Sequence, residues 1–154
     1  MANPMYGQNK ADGNIGWLQN YEHGIKDHGT LGDNLVLTAS DMVNAVAHTC
    51  DPAAARSVTT ATAALIVAAM KVKASDSKCV AGDTFQMCFI NGGTAGADES
   101  CTMTAGTGVT VVGNAEVENL DTASDAISSG SSLWAVHVTV AKAGSEAVSI
   151  IRLA

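Results

Sequence analysis

The chain has 154 residues, 15 acidic against 8 basic side chains, and a net charge of -7. That length supports one domain with a real core. The shortage of cations excludes a nucleic-acid binder, and no apolar run nears the ~20 residues of a membrane span, since the longest, residues 61–70, has ten.

Residues 1–34 are rich in Gly, Asn, Asp and His, and their large apolar side chains follow no helical or alternating period. They read as an extended N-terminal arm. Both tyrosines and one of the two tryptophans lie in it. Such aromatics are expected to be buried against the body or a neighbouring chain, so Pro4, Met5, Tyr6, Trp17 and Tyr21 are the candidate contact residues. No secretory signal peptide is expected, because no cationic segment precedes an apolar one.

A single β-rich body is expected over residues 35–154. A short strand is expected at residues 35–37. Ser40 then caps a helix running to about His48, with Met42, Val43, Val46 and Ala47 at helical spacing. Asp51-Pro52 breaks it. Thr59 or Thr60 caps a second helix, Ala61 to Lys71, with Leu65, Ile66, Ala69 and Met70 as its apolar stripe. From Gly82 the texture is strand. Phe85, Met87 and Phe89 share one face, and so do Cys101 and Met103. Gly106-Thr107-Gly108 reads as a hairpin turn into residues 109–112. Further strands are expected at residues 116–120, 133–141 and 147–153, with Trp134, Val136, Val138 and Val140 on one face. The expected fold is mainly β, an antiparallel sandwich or barrel-like meander preceded by the arm and two short helices.

Charge divides unevenly: residues 1–78 carry net -1 and residues 79–154 net -6. Charged residues are 15% of the chain, against roughly 25% in ordinary soluble domains. A near-neutral arm and helix region suits a surface that lies against another protein.

Chemistry-bearing residues are present without the patterns that use them. Glu22-His23-Gly24-Ile25-Lys26-Asp27-His28 holds two histidines and two carboxylates, but a glycine interrupts any rigid ligand set, and no metal is expected. His48 is expected to cap the first helix, and His137 to lie on the polar face of its strand. No G-x-S-x-G turn or phosphate loop occurs. Glu116 and Glu118 lack the aromatic platforms of a glycosidase cleft. No enzymatic activity and no cofactor are expected. Asp51 and Arg56 are expected to form a local ion pair that fixes the loop between the helices, a contact worth about 0–1 kcal/mol when exposed. Cys50, Cys79, Cys88 and Cys101 contain no C-x-x-C pair. Cys88 and Cys101 fall on successive strands and could face each other, but all four are expected to be free thiols, mostly buried.

One resemblance adds to this reading. Its text is Asp51-Pro52, Arg56, the Ala-rich helix Thr62 to Ala69, Val80-Ala81-Gly82-Asp83-Thr84-Phe85, Phe89-Ile90-Asn91, Thr104 to Asn114, and Ala147-Val148 to Ile151-Arg152-Leu153. Together these resemble a recurring module of tailed-phage virion proteins. The opening Asn3 to Lys10 is similar to the start of structural proteins from marine and cyanobacterial phages. The four cysteines and the acidic 115–132 region depart from that module. The resemblance implies a non-enzymatic capsid decoration or cement protein on the outer surface of the virion, homotrimeric, with the major capsid protein and its own copies as partners. Two alternatives are a head- or tail-fibre module that binds a host receptor or glycan, and a hydrolase of cell-surface polymer. Few aromatics on the β-body loops argue against the fibre.

Overall fold

The structure, a computed structural model, describes residues 24–74, 78–93, 99–119 and 130–154. Ten strands and two helices follow one another as β1 (Ile25–Leu31), β2 (Leu35–Val36), α1 (Ala39–Asn44), β3 (Ala47–Pro52), β4 (Arg56–Thr59), α2 (Ala63–Lys73), β5 (Thr84–Asn91), β6 (Cys101–Thr104), β7 (Val109–Val112), β8 (Glu116–Val117), β9 (Ser131–Val140) and β10 (Ala147–Arg152). The protein is mainly strand, as its alternating segments suggest.

The strands form two sheets, in the orders β1-β3-β5-β9-β10-β7 and β2-β4-β6-β8. Each order is open-ended among the described residues, so the structure contains no closed barrel. The expected antiparallel meander is also corrected. Five of the eight pairings are parallel: β1–β3, β3–β5, β7–β10, β2–β4 and β4–β6. Only β9–β10, β5–β9 and β6–β8 are antiparallel. Four of the five parallel pairs accompany an alternating route of the chain. From β1 to β9 each strand lands in the sheet its predecessor did not join. In β1–β3, β3–β5, β2–β4 and β4–β6 the strand that has crossed to the other sheet and back pairs in parallel with the one two places before it, whereas β8 returns to β6 by the same kind of route and pairs antiparallel. Ile25 thus faces Ala47, and Leu35 faces Val58.

Both sheets bury their apolar alternation in one cluster. Phe85, Met87, Phe89, Trp134, Val136, Val138, Val148 and Ile150 come from the first sheet, and Val58, Cys101, Met103 and Val117 from the second. Leu37, Met42, Ile66, Val67 and Met70 add the strand-to-helix link and the two helices. The Trp134 indole N–H is satisfied inside this core by the Ser132 hydroxyl, 2.6 Å away. Val140 departs from the expected face: at 38% exposure it has run past the end of the core.

Two local expectations move. The first helix is capped by Thr38, whose hydroxyl accepts the Asp41 N–H at 3.0 Å, and it ends at Asn44. Val46, Ala47 and His48 therefore lie beyond the helix, with Ala47 and His48 in β3. Residues 106–108 carry the chain from one sheet to the other. Gly106 lies against the backbone of residues 60 and 61, where a Cβ would sit 2.5 Å from the Thr60 carbonyl oxygen. Its N–H donates to the Thr60 hydroxyl, which is therefore engaged away from any helix cap.

Candidate functional site

Three arrangements carry chemistry or contact potential. The first is the outward face of α2. Thr62 opens this helix by accepting the Leu65 N–H at 3.4 Å, and the Thr107 carbonyl accepts the Ala63 N–H at 2.9 Å. Lys71 and Lys73 close it, where positive charge suits the helix dipole. Ala63, Ile66, Val67 and Met70 are buried. Ala64, Leu65, Ala68 and Val72 face outward, with Leu65 57% and Val72 85% exposed. The expected buried stripe included Leu65, and the structure puts Val67 inside in its place. A helix that is apolar all round has no face fixed by its own pattern; the Thr62 cap and the Thr107 contact set its rotation. The result is an exposed, uncharged row of four apolar side chains.

The second is a histidine pair. Lys26 of β1 pairs with His48 of β3, and His28 Nε2 lies 3.2 Å from His48 Nδ1, the rings stacked 14° from parallel with centroids 5.5 Å apart. His48 is fully buried, and its Nε2 has no hydrogen-bond partner among the described residues. The less costly tautomer puts the proton on His48 Nδ1, donating to His28 Nε2, because an orphaned buried acceptor is cheaper than an orphaned N–H. Burial first, then the neighbouring His28, pushes the His48 pKa down to about 4. Burial also lowers His28. Beside the pair, Lys26 Nζ lies 3.6 Å from the Asp41 carboxylate of α1. The Gly29 N–H and Thr49 hydroxyl hold the Asp27 carboxyl below its ordinary value.

The third lies between the sheets. Cys50 of β3 and Cys101 of β6 bring their sulfurs to 3.6 Å. The hydrogen bond between them, and then burial, push the Cys50 thiol up; the same bond draws Cys101 down. The buried Asn91 side chain fastens this end, donating to the carbonyls of Glu99 at 2.6 Å and Val117 at 3.1 Å. Cys88, the expected neighbour of Cys101, lies on the opposite face of β5 from buried Phe85, Met87 and Phe89. Burial raises its thiol. None of the four cysteines is in a disulfide, and Cys50, Cys79 and Cys101 are buried.

Pro4, Met5, Tyr6, Trp17 and Tyr21 lie outside the described residues. Residues 25–31, within the stretch read as the arm, form the edge strand β1. Asp51 and Arg56 are not brought together: Asp51 pairs with Thr30 across β1–β3, and Arg56 Nε donates to the Leu31 carbonyl at 3.4 Å. Both residues fasten their loop to β1 instead of to each other. His48 is a core residue rather than a helix cap, and His137 is half-buried beside the Thr84 hydroxyl, 3.0 Å away. Sequence reasoning missed the His28–His48 pair, because the two lie twenty residues apart and meet only through the parallel register. Among the described residues no group of three or more His, Cys, Asp or Glu side chains converges on a metal position, and no helix is long and apolar enough to cross a membrane. No family model matches the chain, and neither a curated protein nor a solved structure shows significant similarity to it.

Proposed function

We propose that this chain is a non-enzymatic virion structural protein that binds the outer surface of a phage capsid as a decoration or cement protein and works as a homotrimer. Its partners on this reading are the major capsid protein and its own copies. One observation carries the assembly part: Ala64, Leu65, Ala68 and Val72 leave an apolar helix face open to water. Leu65, Ala68 and Val72 follow the three-four spacing with which helices pack on one another. An open apolar face on a lightly charged domain is a contact surface awaiting a partner. Three copies of one modest patch gain avidity on a repeating shell without any further chemistry. The shared core and the Cys50–Cys101 contact support the finer reading of the two sheets as a sandwich. The choice of a capsid as the larger partner rests on the sequence resemblance.

Sedimentation velocity tests the assembly. The wild-type protein is expected to run as a trimer, and Leu65→Asp with Val72→Asp as a monomer that still unfolds cooperatively, at a midpoint lowered by the lost mass-action stabilisation and independent of protein concentration. A wild-type monomer at tens of micromolar would overturn the trimer. Co-pelleting with capsid shells tests the partner: a trimer that stays in the supernatant removes the capsid assignment.

A further inference from the structure

We propose that Cys50 and Cys101 are a redox-responsive pair that closes into a disulfide on contact with a peroxide and fastens the two sheets together. The inference is independent of the capsid reading. It rests on position. Cys50 lies near the end of β3 in the six-stranded sheet, and Cys101 is the first residue of β6 in the four-stranded sheet. Their sulfurs are already in van der Waals contact at 3.6 Å, so bonding requires closing by about 1.5 Å. Of the other two thiols, Cys79 Sγ lies 4.0 Å from the Met70 thioether, and Cys88 faces away from the inter-sheet core.

The chemistry balances with hydrogen peroxide as the oxidant. The Cys101 thiolate attacks one peroxide oxygen, the O–O bond breaks, and hydroxide leaves to take up the thiol proton as water. The resulting sulfenic acid is attacked by the Cys50 sulfur. An S–S bond forms, the S–O bond breaks, and a second water leaves with the Cys50 proton. Both sulfurs are oxidised and the peroxide is reduced. Asn91 already fixes this end of the two sheets by binding the Glu99 and Val117 carbonyls, so the thiols are held close before the bond forms. The pair lies at the strand ends, next to exposed Asp51 and half-buried Ser100. A small oxidant therefore needs only local opening to arrive.

The full-length native protein is treated with hydrogen peroxide, quenched, unfolded and titrated for thiols. The expected count falls from four to two, dithiothreitol restores it, and peptide mass mapping joins Cys50 to Cys101. The closed loop is about 50 residues, so the thermal midpoint of the oxidised protein is expected to rise by about 10 °C. Cys50→Ala and Cys101→Ala should each abolish the linked peptide. Four remaining thiols, a linkage through Cys79 or Cys88, a cross-link between two chains, or a loss that dithiothreitol does not reverse would overturn the proposal. An unchanged midpoint after the bond forms would overturn the fastening role. None of these outcomes depends on the variants folding.

Discussion

At the scale of single residues, the buried polar groups carry the sharpest consequences. His48 stays neutral in the folded protein down to a pKa of about 4, whereas an unfolded histidine takes up its proton near 6.5. The unfolded chain therefore binds more protons below pH 6.5, and stability falls as pH drops from there toward 4. The loss from this one site is at most about 3 kcal/mol. Asp41, which favours the charged form, and Lys26 and His28, which oppose it, all face the ring. His48→Leu is expected to flatten the slope of urea-unfolding stability between pH 6.5 and 4; an unchanged slope would remove His48 as its source. The Trp134–Ser132 bond makes a second residue-scale case. Ser132→Ala leaves the indole N–H orphaned in the core, a loss of about 1–3 kcal/mol measurable by chemical denaturation. In a Trp134→Phe background the same change should cost far less, because no N–H remains to orphan.

At the scale of elements, the contacts between sheets matter more than the strands themselves. Asn91→Ala removes the donors to the half-buried Glu99 and buried Val117 carbonyls and is expected to cost roughly 2–4 kcal/mol in urea unfolding. Gly106→Ala drives a Cβ against the Thr60 and Ala61 backbone, with an expected loss of about 1–3 kcal/mol. Gly32→Ala, where nothing lies within 4 Å, should leave the midpoint close to wild type. Element existence was largely legible in the sequence. The alternation of Phe85, Met87 and Phe89 marks a buried face, as does that of Cys101 and Met103, and residues 109–112 are a strand as expected. Pairing was not legible, because alternation says which side of a strand is apolar and nothing about which sheet receives it. Gly106-Thr107-Gly108 has hairpin composition in a passage that changes sheets. Helix orientation was hidden for a related reason: with Leu65, Ile66, Val67 and Met70 all apolar, α2 gives no single period to read. The His28–His48 and Cys50–Cys101 contacts cross strands far apart in sequence, and only register brings them together.

At the scale of the whole molecule, charge and the apolar α2 face act in opposite directions. Each copy carries -7, so copies repel at low ionic strength, while the contact proposed through Leu65, Ala68 and Val72 is apolar. Self-association is expected to tighten as salt rises from about 0.01 to 0.5 M, because the Debye length shrinks from about 30 Å to a few ångströms. Sedimentation across that range checks it, and weakening with salt would point to an ion-paired interface. The N-terminal boundary can be tested in the same frame. Deleting residues 1–34 removes β1, with buried Leu31 and the Lys26–Asp41 pair. It is expected to lower the unfolding midpoint below that of a protein lacking residues 1–23.

The route of the chain also governs how the molecule can be made. β7, at residues 109–112, sits at an edge where its described strand partner is β10, at residues 147–152. β5 gains its second neighbour only from β9. During synthesis, which runs from the N-terminus, these strands emerge and wait with bare edges until β9 and β10 have left the ribosome. A newborn chain therefore stays open to capture by chaperones, or to pairing with a sister chain on the same messenger, until residues 131–152 have been made.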